Sequence, residues 1–245
     1  QARAQVQPLL ATLKDLVSIE SGSGDREGLD RLSQHIFDRL KALGGTAEFI
    51  EPGDDVYRMH DTPPRIGRMV KATFTGSGTK KILLIAHMDT VYLKGMLAKQ
   101  PFRVDGNKAY GLGIADDKQG VAMVVHLAAM LKAMNFAEYG TLTILVNGDE
   151  EISSPGSREA LAAAGAEHDA TLSFEATRTN EDKLSLATSG IGAVEIKVEG
   201  RASHAGGAPE RGVNALYELS HQVLQMRDLS EPQVGLKLNW TISQA

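Results

Sequence analysis

Three short, largely apolar runs constrain this chain most, because each stops abruptly at residues able to hold a metal or move a proton. Residues 82–86 (ILLIA) lead into His87-Met88-Asp89, and residues 142–146 (LTILV) into Asn147-Gly148-Asp149-Glu150-Glu151. The third run, residues 171–174 (TLSF), ends in Glu175. A strand without polar alternation is one covered on both faces, as in a sheet with helices on either side. Helical spacing of Val6, Leu9, Leu10, Leu13, Leu16 and Val17, and again of Leu29, Leu32, Ile36, Leu40 and Leu43, predicts two amphipathic helices. Ser23 and Asp25 are cap candidates for the second, and Gly44-Gly45 is its stop. Strands are expected at 46–51 and 68–74, a hairpin at Asp105-Gly106, an apolar helix over about 119–134 and an Ala-rich helix near 157–164. The alternation predicts an α/β sandwich with a largely parallel sheet.

The pattern changes near Ser189-Gly190. Residues 192–198 alternate like a half-exposed strand, a helix is expected at about 212–227, and residues 234–242 read as another alternating strand. This divides the chain into a domain over 1–188 and a small, partial α+β domain over 189–245.

Composition removes several function classes. With a net charge of −5, the chain is a poor partner for a phosphate backbone, so no nucleic acid is expected. No apolar run approaches the roughly 18–20 residues that span a bilayer, so no membrane partner is expected. The chain has no Cys, which excludes disulfides, thiolate metal sites and a thiol nucleophile. It begins Gln1-Ala2-Arg3 rather than with Met, and trimming at its start is the expectation, of a signal peptide or at an engineered end.

In open α/β sheets, ligands bind where loops leave the carboxyl ends of the strands. His87 and Asp89, two apart, point to one side of an extended backbone, and Asp89 either ligates a metal or orients His87. Asp116-Asp117-Lys118 follows the turn Gly111-Leu112-Gly113-Ile114-Ala115, where the alternative for either Asp is a helix N-cap. Of the adjacent Glu150 and Glu151, one can bind metal while the other carries a proton. Together His87, Asp116, Glu151 and Glu175 offer one imidazole and three carboxylates, a charge balance that favours two divalent ions.

These segments resemble the M20 family of dizinc metallopeptidases. Tyr92-Leu93-Lys94-Gly95, Ser173-Phe174-Glu175, Ser185-Leu186 and Arg201-Ala202-Ser203-His204-Ala205-Gly206 extend the similarity toward its bacterial glutamate carboxypeptidases. The resemblance implies a three-layer αβα zinc-peptidase domain with a ferredoxin-like lid that dimerises. It implies two zinc ions: His87 and Glu175 on one, Asp116 bridging, Glu151 on the second. Glu150 is then the general base, Asp89 orients His87, and the Asp116–Asp117 peptide bond is cis. His204 corresponds to the histidine that steadies the tetrahedral intermediate in a partner's site; without the resemblance it reads as a loop histidine bonding locally. The implied activity is release of a C-terminal glutamate from folate-type or N-acyl substrates, in the periplasm or outside the cell, with the cytoplasm as the alternative.

Some features depart from that pattern. Gln119 stands where many relatives have glycine, and no histidine after His204 fits the family's last metal ligand. The chain is therefore expected to be incomplete. Another amidohydrolase of the family (an aminoacylase or dipeptidase) and an inactive dimerisation module are the alternatives. His35, His60, His126, His168 and His221 are expected to be ordinary surface or helix residues, and Lys118 and Arg158 structural or solvated.

Overall fold

A computed structural model describes residues 2–53, 58–59, 62–176, 184–186, 194 and 196–229. The chain divides into two compact units, Gln1–Leu184 and Ser185–Ala245.

In the first unit a five-stranded sheet is built from β1 (Thr46–Ile50), β2 (Met69–Thr75), β3 (Lys81–His87), β6 (Thr141–Asn147) and β7 (Ala170–Ser173). The spatial order is β1-β2-β6-β3-β7, and β4 (Arg103–Asp105) and β5 (Lys108–Tyr110) form the separate hairpin expected at Asp105-Gly106. Helices α1 (Val6–Val17), α2 (Arg26–Ala42) and α3 (Gln119–Ala133) cover one face, and α4 (Arg158–Glu167) the other. Alternate strand residues divide between the layers. Val70, Ala72, Leu84, Ala86, Ile144 and Val146 join the core beneath α1–α3, while Met69, Leu83 and Leu145 pack toward Ala160, Leu161 and Ala164 of α4. Burial on both faces explains why the inner strands carry so little polar alternation.

The sheet is mixed, a correction to the largely parallel one expected. β3 runs parallel to β6 and β7, but β2 is antiparallel to both β1 and β6. Side-chain burial is the same in either direction, so the apolar pattern of β2 carries no mark of its polarity.

The helix signals hold in place. Asp25 caps α2 by accepting from the Gly28 amide at 3.2 Å. Ser23 is no cap; its hydroxyl donates to Asp89 Oδ2 at 2.8 Å. His126, expected at the surface or on a helix, is a buried connector on α3. It bonds Thr12 of α1 through Nε2 and Gln5 through Nδ1, both at 2.8 Å, and Arg39 Nη1 of α2 donates to the same Thr12 hydroxyl at 2.9 Å. His35 accepts from Arg39, and His168 bonds Ala164 and Thr143. His60 lies outside the described residues. Lys118 is structural, buried with its Nζ donating to the Ile19 carbonyl at 2.7 Å, and burial pushes its pKa down to about 8.

In the second unit, α5 (Ala215–Met226) starts where Asn214 Oδ1 accepts from the amides of Leu216 and Tyr217 at 2.9 and 3.2 Å. His221 lies on this helix, exposed. Arg201 and Val213 bridge across the loop that contains His204. The strand expected at 192–198 lies partly outside the described residues, and its described part from 196 is not in a strand. No described segment pairs with it there, and a strand needs such a ladder. The strand expected at 234–242 lies outside the described residues.

Candidate metal centre

Strand register gathers the candidate residues. His87 pairs with Asn147 in the parallel β3–β6 ladder, so the loops after both strands leave one edge together. On the other side Ile85 pairs with Ser173 and its carbonyl accepts from the Phe174 amide at 2.9 Å. Two residues further along each strand stand His87 and Glu175, on the same face because strand side chains repeat every two residues. Asp116 arrives from the turn before α3, where Gly113 adopts φ 64°, and the Asp116–Asp117 peptide bond is cis.

His87 Nε2 lies 2.9 Å from Asp116 Oδ1, 3.3 Å from Glu175 Oε2 and 3.9 Å from Glu150 Oε2. One ligand atom from each of His87, Asp116 and Glu175 falls within 4.8 Å of the others. Ligands about 2.0–2.1 Å from a tetrahedral ion stand roughly 3.3 Å apart, so this donor set fits a divalent cation. The other ring nitrogen, Nδ1, is 3.3 Å from Asp89 Oδ1 and 3.2 Å from the Asp89 carbonyl oxygen. A proton held on Nδ1 leaves the Nε2 lone pair facing the carboxylates.

Asp89 is fully buried and joins two of the loops. Besides the Ser23 hydroxyl, it accepts from the Glu150 amide at 3.0 Å and the Glu151 amide at 3.1 Å. It thereby ties the end of β3 to the turn after β6. Glu151 stands outside the tight three-residue group but within electrostatic range of Asp116 and Asp89. His204 belongs to the second unit, where its Nδ1 accepts from the Gly206 amide at 3.1 Å, the local bond of a loop histidine.

Crowding of acids leaves clear titration signatures. Burial alone would lower the His87 pKa, but hydrogen bonds to Asp89 and Glu175 and the charges of Asp89 and Asp117 raise it to about 11. The same hydrogen bond holds Glu175 below the usual carboxylate range. Glu151 is pushed up to about 7 by burial and then by Asp116 and Asp89, and Glu150 rises in the same direction chiefly by burial. Without a cation, the imidazole carries the proton that balances these acids.

Asp117 is a participant that its residue type alone did not single out. It is fully buried, its Oδ2 accepts from the His87 amide at 3.2 Å, and burial followed by the Glu175 charge raises its pKa to about 8. A Cβ at Gly120 would stand 2.4 Å from Asp117 Oδ1 and 2.4 Å from the Phe174 carbonyl oxygen. Glycine here lets the Asp116–Asp117 turn and the strand end before Glu175 close on the first turn of α3. The sequence signal for it is the spacing Asp117-x-x-Gly120 at a helix start.

Comparison with known proteins agrees with this geometry. The profile of peptidase family M20/M25/M40 matches residues 83–235. Carboxypeptidase G2 of Pseudomonas sp. (strain RS-16) is 46% identical, across 100% of this chain and 57% of its own length. N-acetyl-L-citrulline deacetylase of Xanthomonas campestris pv. campestris is 31% identical, across 75% of this chain and 44% of the deacetylase. Human carnosine dipeptidase 1 shares the fold with a TM-score of 0.56 at 19% identity, covering 70% of this chain and 39% of that one. Aminopeptidase PepT from Bacillus cereus does so with a TM-score of 0.56 at 19% identity, covering 87% and 55%. The chain spans about half the length of the curated relatives it matches.

Two outcomes are expected. Gly120→Ala should weaken divalent-metal binding by about 10-fold or more, as read by competition with a chromophoric chelator; unchanged affinity would show that the close approach is dispensable. Binding at the His87–Asp116–Glu175 group would require deprotonated His87, whose metal-free pKa is raised to about 11, so apparent affinity should climb with pH. Calorimetry near pH 7 in buffers of different ionisation enthalpy should register at least about one proton released per ion. Affinity flat between pH 6 and 8 would contradict the assignment of His87 as a ligand.

Proposed function

The chain belongs to peptidase family M20/M25/M40, and on that premise we propose that it is the metal-binding part of a dizinc exopeptidase releasing a C-terminal glutamate. The observation carrying this reading is the convergence of His87, Asp116 and Glu175 with Glu150 at their rim. In the proposal His87 and Glu175 would hold one zinc, Glu151 the other, and Asp116 would serve both. Bound zinc supplies an electrophile for the scissile carbonyl and makes water more acidic.

The chain's own residues then act as follows. Asp89 holds His87 by its Nδ1 face and fixes the Glu150 and Glu151 amides, so that ligand and base keep one geometry. Glu150 takes a proton from the water that attacks the carbonyl carbon and returns it to the amine nitrogen as the C–N bond breaks. A carboxyl raised above its ordinary range suits both halves of that transfer. His204, from a partner's lid, supports the oxyanion, and residues 189–245 provide the dimer contact.

Glutamate specificity rests on the resemblance around Tyr92–Gly95 and residues 201–214, and a periplasmic or external location on the family resemblance as a whole. The carboxypeptidase name of the 46% identical relative supports the exopeptidase class. The 31% identical deacetylase favours a second reading, an amidohydrolase acting on N-acyl amino acids. No helix among the described residues is long and apolar enough to cross a membrane.

Chelation of the intact protein should abolish hydrolysis of N-acyl glutamates, and added zinc should restore it. Hydrolysis persisting after verified metal removal would contradict the proposal. Preference for N-acetyl amino acids over folyl glutamate would select the second reading. Glu150→Gln should keep metal affinity within a few-fold while lowering turnover by about 10²–10⁴-fold; a near-normal rate would remove Glu150 as the base.

A further inference from the structure

Asp149 stands outside the candidate donor group, is fully buried, and uses its carboxylate to organise the turn after β6. Its Oδ2 accepts from the amides of Gly156 at 2.7 Å and Ser157 at 3.0 Å. Its Oδ1 accepts from Asn147 Nδ2 at 3.3 Å, and that nitrogen also reaches Ser157 Oγ at 3.1 Å. Residues 149 and 157 are thus fastened to each other and to the end of β6.

Between those anchors the backbone is unusual. Ser153 and Ser154 have φ of 69° and 52°, a left-handed region that side chains with a Cβ seldom occupy. The Ser154 amide donates to the Asp149 carbonyl and the Ser153 amide to the Glu150 carbonyl, both at 2.8 Å. A strained turn persists only where its surroundings over-determine it. What this turn delivers is a pair of amides, those of Glu150 and Glu151, directed at Asp89.

We infer that Asp149 is a positioning residue for the Glu150–Glu151 pair, closing the 149–157 turn so that base and second-ion ligand present at fixed places. This rests on the reading of Glu150 as base and Glu151 as ligand. It goes beyond that reading by assigning the precision of both to a carboxylate outside the candidate donor group. Hydrogen-bond polarity makes the idea specific. In Asp149→Asn an amide oxygen can still serve Gly156 and Ser157, but its NH₂ then faces the Asn147 NH₂, donor against donor. Exchanging the two side chains restores complementarity without changing net charge.

The test compares wild type, Asp149→Ala, Asp149→Asn and the exchange Asn147→Asp/Asp149→Asn in the intact protein. Zinc stoichiometry and stepwise affinity are measured by chelator competition alongside kcat and KM. Asp149→Ala should lower kcat by about 100-fold with KM within about 3-fold, since misplacing a base by an ångström costs that much. It should weaken the second zinc by about 10-fold while leaving the first, on His87, Asp116 and Glu175, within about 3-fold. Should the alanine variant fail to fold, Asp149→Asn carries the comparison, and the exchange should return kcat to within about 5-fold of wild type. Equal weakening of both zinc sites, or an exchange that rescues nothing, would overturn the positioning role, as would wild-type kinetics in Asp149→Asn. Wild-type protein that binds no zinc would instead defeat the functional reading itself.

Discussion

The parallel pairing of β3 with β6 on one side and β7 on the other is the constraint on which this molecule depends. Parallel neighbours end at the same edge, so residues remote in sequence meet there without long excursions of the chain. His87 ends the middle strand, with Asn147 directly beside it and Glu175 two residues beyond the Ile85–Ser173 pair. Burial of these strands on both faces fixes the register, because a slip by one residue would turn every apolar side chain to the wrong layer. Core packing and site geometry are therefore one problem, solved by the same ladders.

Electrostatics supplies the second half of the account. Asp89, Asp116, Asp117, Glu150, Glu151 and Glu175 surround a single imidazole, and several of them are pushed above their ordinary pKa range while His87 is held protonated. Such crowding is unfavourable in a metal-free protein and is relieved by a dication. The buried carboxylates divide the task by where their hydrogen bonds go. Asp89 binds loop amides, Asp117 binds the His87 amide, and Asp149 closes its own turn, leaving the exposed oxygens of Asp116 and Glu175 directed at the imidazole.

Much of this was legible in the residues. Apolar runs ending in His87, Glu150-Glu151 and Glu175 announced both the layered fold and the edge where chemistry gathers, since burial on both faces leaves a visible mark. Strand direction leaves none, and β2 proved antiparallel to β6. Nor could the partners of Asp149, Asp117 and Ser23 be read from the sequence, because these are the Gly156 and Ser157 amides, the His87 amide and Asp89, the last two 30 and 66 residues away. His126 lies on a helix, as expected, but its bond to Thr12, 114 residues distant along the chain, leaves no local mark. Glu151 was expected among the ligands, and what the fold shows of it is proximity to the charges of Asp116 and Asp89.

The central claim, that these loops hold a pair of cations, is tested most directly by anomalous scattering at the zinc edge from crystals of the zinc-loaded intact protein. Two peaks about 3.5 Å apart are expected, one bonded to His87 Nε2 and Glu175, with Asp116 between them and Glu151 on the second. Peaks located elsewhere, or density at this edge with His87 Nε2 still facing only carboxylates, would contradict it.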